Sequence, residues 1–398
     1  MKPDEGGRGR LREATRVRST PRTARTPSFV GLDLGATELR GVQVQQRTGQ
    51  VSHAATVPLP AGVISHGHVL DPKALVKSLR TLWRAGRFST RRVAFALPDT
   101  SVLTRQLDLP WMPAEDFRAA LRWQVGEALP VDLDTVELDY RSLGTYTAHD
   151  QHGQDIAMQH CLLVAASTAA VTEACDALIS ARLEPVGADV ASLALLRLEL
   201  ASYPHEASDG ELHALVDIGA NDVTVVLHHG GDPRFIRAIP QLAGARVIDD
   251  LVARVGISEP EAIELLTMTG LNGPPPVVAP VAESSVFAAL APAAGAAADP
   301  RTTMALEAIQ PWATALVSSI RDSLDYYQAG SGRAAVHDIR VTGRVAGLSG
   351  LVERLSTELR LPVHPLDAAQ RLQWGRRPAK SLAPSICLAT GLALRGRA

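Results

Sequence analysis

Cysteine is nearly missing from this chain: Cys161, Cys175 and Cys387 are the 3 present in 398 residues. They are too few and too scattered for a disulfide framework or a zinc cluster, and they suit a reducing compartment. Nowhere does an apolar run of about 18 residues occur, so no bilayer span is expected and membrane association must come through a partner. Aromatic residues make up only 4% of the chain, so a local group of them carries information. The 12 histidines include the pairs His66/His68 and His228/His229. Neither pair has carboxylate or cysteine neighbours at metal-ligand spacing, so both are expected at exposed loops and strand ends.

What is present is ordinary soluble composition, with 46% hydrophobic and 21% charged residues. The length exceeds what one hydrophobic core usually serves, so two or more domains are expected. Residues 1–27 carry Lys2, Arg8, Arg10, Arg12, Arg16, Arg18, Arg22 and Arg25 against Asp4, Glu5 and Glu13. That reads as a disordered basic tail, able to approach anionic lipid and lacking the apolar stretch of a signal peptide.

Order is expected from residue 28. Residues 29–44 read as strand, glycine turn, strand, and 71–87 as a helix opened by the cap Asp71 and Pro72. Strands follow at 93–97 and 102–109, then helical spacing at Phe117, Leu121 and Val125. A buried-strand pattern at 161–165 precedes a helix near 168–182. Residues 212–228 repeat the strand, turn, strand unit, followed by helices near 245–255 and 260–269. The stretch 271–300 is rich in Pro, Ala and Val and reads as a long loop. A helix at 305–328, a strand at 337–342 and a helix at 350–358 complete the pattern. Strands alternating with helices, with a unit recurring late, point to an α/β protein of two related halves.

The recurrence is close. Leu32-Asp33-Leu34-Gly35-Ala36-Thr37-Glu38-Leu39 matches Val216-Asp217-Ile218-Gly219-Ala220-Asn221-Asp222-Val223 in type at nearly every position. A glycine turn, through positive φ, lets backbone amides approach a phosphate, and two such turns facing each other would grip a phosphate chain. Asp33 and Asp217 would then hold hydrated magnesium between themselves and the nucleotide. A third unit, Val341-Thr342-Gly343-Arg344-Val345 running on to Gly350-Leu351, is a strand passing through a glycine turn into a helix that could border base and ribose.

These three units resemble the nucleotide-binding motifs of the actin, heat-shock-70 and sugar-kinase superfamily. The succession Val93-Ala-Phe-Ala-Leu-Pro98, Val102-Leu-Thr-Arg-Gln-Leu-Asp-Leu-Pro110, Leu121-Arg-Trp-Gln-Val-Gly-Glu-Ala-Leu-Pro130 and Leu138-Asp-Tyr140 is similar to the inserted subdomain of the PilM family of type IV pilus proteins. Ala188-Asp-Val190, the 235–240 strand, Ser323-Leu-Asp-Tyr-Tyr327 and Ala389-Thr-Gly-Leu-Ala-Leu394 resemble it too. Departures from the family stand out: Gly343-Arg344-Val345 replaces the usual glycine cluster at the adenosine-side turn, Gln241-Leu-Ala-Gly244 replaces a Phe-Gly-Gly-type turn, and Arg40 replaces a usual lysine. Arg344 could stack on adenine.

The resemblance implies an α/β fold of duplicated actin-like, ribonuclease-H-like domains with an inserted small α+β subdomain. It divides the chain into 28–92 with 185–210 and 384–398, an insertion at 93–184, a second half at 211–245 with 331–383, and a helical part at 246–330. It implies ATP and magnesium, with Asp33, Gly35, Ala36, Thr37, Arg40, Asp217, Gly219, Ala220, Asn221, Gly343 and Arg344 as nucleotide site and at most slow hydrolysis. The implied partner is the N-terminal segment of a PilN-like bitopic membrane protein, with PilO and the motor ATPases further off, self-association, no specific nucleic acid, and a place at the inner face of the cell membrane. The peptide groove is expected between about 97–123 and 186–195, with Trp111, Phe117, Arg118 and Trp123 as contacts. The alternatives are an FtsA-like filament protein, which usually ends in an amphipathic membrane helix, and a sugar or acetate kinase, which needs a further base in the cleft.

Overall fold

A computed structural model of the chain describes residues 28–45, 48–126, 128–149, 152–203, 211–273, 299–331, 335–366 and 386–395. The basic tail 1–27 and the 274–298 part of the proline-rich stretch lie outside the described residues.

Along the chain run β1 (Val30–Leu34), β2 (Glu38–Val44), β3 (Val51–Pro58), β4 (Ile64–Ser65), β5 (His68–Val69), α1 (Pro72–Gly86) and β6 (Arg92–Leu97). Next come β7 (Val102–Pro110), α2 (Ala114–Val125), β8 (Val136–His149), β9 (Asp155–Ser167), α3 (Thr168–Ser180), β10 (Glu184–Val190) and α4 (Ala191–Ser202). The later part holds β11 (Leu212–Ile218), β12 (Val223–His229), β13 (Asp232–Ile239), α5 (Gly244–Val255), α6 (Glu259–Thr269), α7 (Pro300–Ser331), β14 (Val336–Thr342), α8 (Leu351–Leu359), β15 (Val363–Pro365) and α9 (Cys387–Ala393).

Two sheets share one topology. The first runs β10-β6-β1-β2-β3 and the second β15-β14-β11-β12-β13. In each, three antiparallel strands are joined to two parallel ones. The repeat read in the sequence is therefore the matching first hairpin of both sheets, β1-β2 and β11-β12. A third sheet, β7-β9-β8, stands between β6 and α3 in the chain and carries α2 on one face.

Strand alternation distributes the core. On β11, Leu212, Ala214, Val216 and Ile218 face the helices of the second half. Leu215 faces the other way, into a cluster with Val42, Val44, Leu195, Leu198, Val226 and Ile386 that joins the two halves. Asp217 has the same parity as Leu215, so it too points between the halves.

Four elements in particular depart from the sequence reading. Helix α4 was not expected, because residues around its whole circumference are buried and no polar face betrays the period. Strands β8 and β9 form a hairpin far longer than the buried segment 161–165 suggests, since its outer part is largely solvent-exposed. Finally, α7 extends beyond 305–328 at both ends.

Candidate functional site

The carboxyl ends of β1, β6, β11 and β14 converge on a cleft of about 130 Å³ between the halves. Its lining includes all eleven residues expected for the nucleotide: Asp33, Gly35, Ala36, Thr37, Arg40, Asp217, Gly219, Ala220, Asn221, Gly343 and Arg344. The two hairpin turns face each other across it, as the internal repeat requires.

The glycines act differently from expectation. Neither Gly35 nor Gly219 is among the residues with positive φ. Each is small because the chain three residues on passes close by: a Cβ would stand 2.7 Å from the Glu38 oxygen at Gly35 and 3.1 Å from the Asp222 oxygen at Gly219. Gly343 does need positive φ, at 102°, and a Cβ there would meet the Ile218 oxygen at 2.4 Å and Asp217 Oδ1 at 2.6 Å. It lets β14 turn directly against the second phosphate-type turn.

Register sets the electrostatics of the first turn. Asp33 lies opposite Arg40 in the β1-β2 ladder, and Arg40 donates to Asp33 Oδ2 at 2.8 Å and to Glu38 Oε2 at 2.7 Å. Burial raises the Asp33 carboxyl, opposed by the Arg40 charge. Among the described residues no such cation is in contact with Asp217. Burial first, then the Asp222, Asp99 and Asp33 carboxylates, push it up to about 8.

Asp99 and Asp222 were missed as site residues, and both line the cleft. Asp99 accepts from the Ser192 amide at 3.1 Å and from its hydroxyl, fixing the start of α4 against the end of β6. Burial pushes it up to about 7. Its signal was available, because ligands of parallel sheets gather at strand carboxyl ends and Asp99 follows β6 after Pro98. Asp222 stood in the aligned repeat, opposite Glu38.

A phosphorylated ligand with its cation suits this donor set. Two turns offer backbone, Thr342 Oγ1 lines the cleft without a hydrogen-bond partner among the described residues, and Asp217 shares the cleft with Asp99 and Asp222 while Arg40 is bonded to Asp33. Because Asp33 is taken by Arg40, magnesium would be held through its water shell on the Asp217 side. No three His, Cys, Asp or Glu side chains among the described residues converge as metal ligands.

The expected peptide contacts separate. Phe117 is fully buried in the core of the inserted subdomain, 4.4 Å from the Tyr140 ring centroid, so it is a core residue and not a groove contact. Trp111 is 50% and Trp123 86% exposed, and Arg118 is exposed on α2. None of the four lines the second cleft, of about 310 Å³, which lies between β8-β9 and the β10-α4 segment. That cleft is built by Leu97, Val102, Leu138, Tyr140, Arg141, Leu162, Val164, Ala188, Asp189, Val190, Leu193 and Arg197, among others. The second cleft thus takes lining from both expected segments, Leu97 and Val102 from 97–123 and Ala188, Asp189, Val190 and Leu193 from 186–195, together with β8 and β9.

The histidine expectation also changes. His68 is half exposed beside Glu173, but His228 is buried, with Nε2 3.3 Å from Glu199 Oε2 on α4. No described helix is long and apolar enough to cross a membrane.

Two sheets of identical winding, closed around a cleft at their first hairpins, define an actin-like protein. The family model of type IV pilus assembly protein PilM matches residues 31–271 and 297–397, and the chain belongs to that family. Among solved structures, a PilM-PilN type IV pilus biogenesis complex is 23% identical, with TM-score 0.76 over 94% of this chain and 100% of that one. The ethanolamine utilization protein EutJ of Carboxydothermus hydrogenoformans is 16% identical, with TM-score 0.50 over 93% of this chain and 90% of that one. Comparison with curated proteins finds no match.

Proposed function

We propose that this chain is a nucleotide-binding scaffold of the type IV pilus inner-membrane platform that captures the N-terminal segment of a PilN-like membrane protein. The observation carrying the nucleotide part is the convergence of both Asp-x-Gly-Ala turns and the Gly343 turn on one cleft. ATP with magnesium is the ligand class, because amide-rich turns suit phosphates and uncompensated carboxylates suit a hydrated cation. Isothermal titration with MgATP and MgADP tests it, and no heat with either overturns it.

The peptide belongs in the cleft between β8-β9 and β10-α4. Its walls are mainly aliphatic, with Arg141, Asp189 and Arg197 at hand to fix direction. Strand β8 is the edge of its sheet, so backbone pairing is open to an extended segment. Membership of the family and likeness to a solved PilM-PilN complex support this partner. Val164→Glu and Leu193→Asp should weaken a PilN-terminus peptide at least about tenfold by placing charge in an apolar slot, whereas Trp111→Ala and Arg118→Glu should leave its dissociation constant unchanged. The reverse pattern would return the groove to α2.

A further inference from the structure

The adenosine-side turn bears an arginine that does not lie free in the cleft. Arg344 Nη1 donates to Thr37 Oγ1 at 2.8 Å, so a residue following β14 in the second half is tied to the phosphate-type turn of the first. The same guanidinium has Nη2 at 3.9 Å from Glu259 Oε1, at the start of α6. Arg344 and Thr37 both line the cleft, so this hydrogen bond runs across it. A nucleotide with its phosphates on the 35–38 turn would compete with this hydrogen bond for Thr37.

We infer that Arg344 is a latch across the cleft: held on Thr37 it blocks the 35–38 turn, and it admits a nucleotide by letting go of Thr37 and moving fully onto Glu259. The inference rests on the nucleotide reading and adds which residue sets affinity. The physics is a population shift. A cleft held shut by a charge-assisted bond binds its ligand more weakly by the fraction of time it is shut. Glu259 lies outside the cleft lining and serves as the receiver, short enough a distance away for a rotamer change with no movement of β14. At 3.9 Å the Glu259 pairing is long while Arg344 is on Thr37, and a carboxylate there favours the open state by drawing the released guanidinium into a closer pair.

The experiment is a double-mutant cycle on the full chain, read by titration with MgADP. Arg344→Ala should tighten binding about tenfold, the effect of one charge-assisted hydrogen bond. Glu259→Ala should weaken binding several-fold in the parent and have no effect in the Arg344→Ala background, because the receiver has nothing to receive. Weaker binding by Arg344→Ala would make it a ligand contact and overturn the latch, as would an equal Glu259→Ala effect in both backgrounds. Hydrogen exchange of the 35–38 turn in nucleotide-free protein separates this from the nucleotide proposal. Faster exchange in Arg344→Ala supports the latch even if MgADP binds no variant, and unchanged exchange overturns it.

Discussion

Asp217 shows how much a residue's chemistry depends on where the fold puts it. An Asp in a turn titrates near 3.8, but burial and three neighbouring carboxylates lift this one to about 8. In the unfolded chain the proton leaves near 3.8, so between that pH and about 8 the folded protein holds a proton the unfolded one does not. Its contribution to stability is therefore complete below about 3.8 and is lost as pH rises through 8. Asp217→Asn should flatten this slope: it should match the parent at acid pH and exceed it at pH 8.5 by at least about 1 kcal/mol. Parallel melting-temperature profiles from pH 5 to 8.5 would refute the assignment. Asp99, at about 7, acts in the same direction.

At the scale of elements, α2 separates packing from display. Phe117, Leu121 and Val125 recur every four residues and fill the sheet face beneath the helix. Trp123, six residues after Phe117, falls on the far side. Phe117→Ala should cost about 3 kcal/mol or more through the cavity it leaves. Trp123→Ala should stay within about 0.5 kcal/mol. Urea unfolding followed at the inserted subdomain distinguishes them, and equal costs would mean that α2 is rotated. The periodicity noted in the sequence already contained this answer, while the local density of aromatics pointed away from it.

For the whole molecule, the decisive feature is a core shared between halves. Leu198 on α4 is fully buried in the cluster that includes Val42 and Val44 from the first sheet and Leu215 and Val226 from the second. Leu198→Ala should destabilise both halves together by about 3 kcal/mol, moving one calorimetric transition. Two transitions, only one of them shifted, would show halves that unfold independently. The inserted subdomain is tied to the second half as well, through Arg141 to Asp232 at 2.9 Å and Gln106 to the Pro233 oxygen at 2.6 Å. Arg141 also lines the second cleft, so the site proposed for the peptide and the second half share a contact.

The amino-acid sequence by itself determined the recurring hairpin, the helix at 71–87 opened by Asp71 and Pro72, and eleven of the residues around the first cleft. Each depends on turn chemistry and side-chain period, which act over a few residues and survive in any context. Tertiary structure alone decided that Arg344 meets Thr37, that Asp217 keeps its proton, that α4 is a helix buried on all sides, and that the second cleft opens against β8-β9 and not α2. Those outcomes depend on desolvation and on which distant segments come within a few ångströms, and neither quantity is written in local order along the chain.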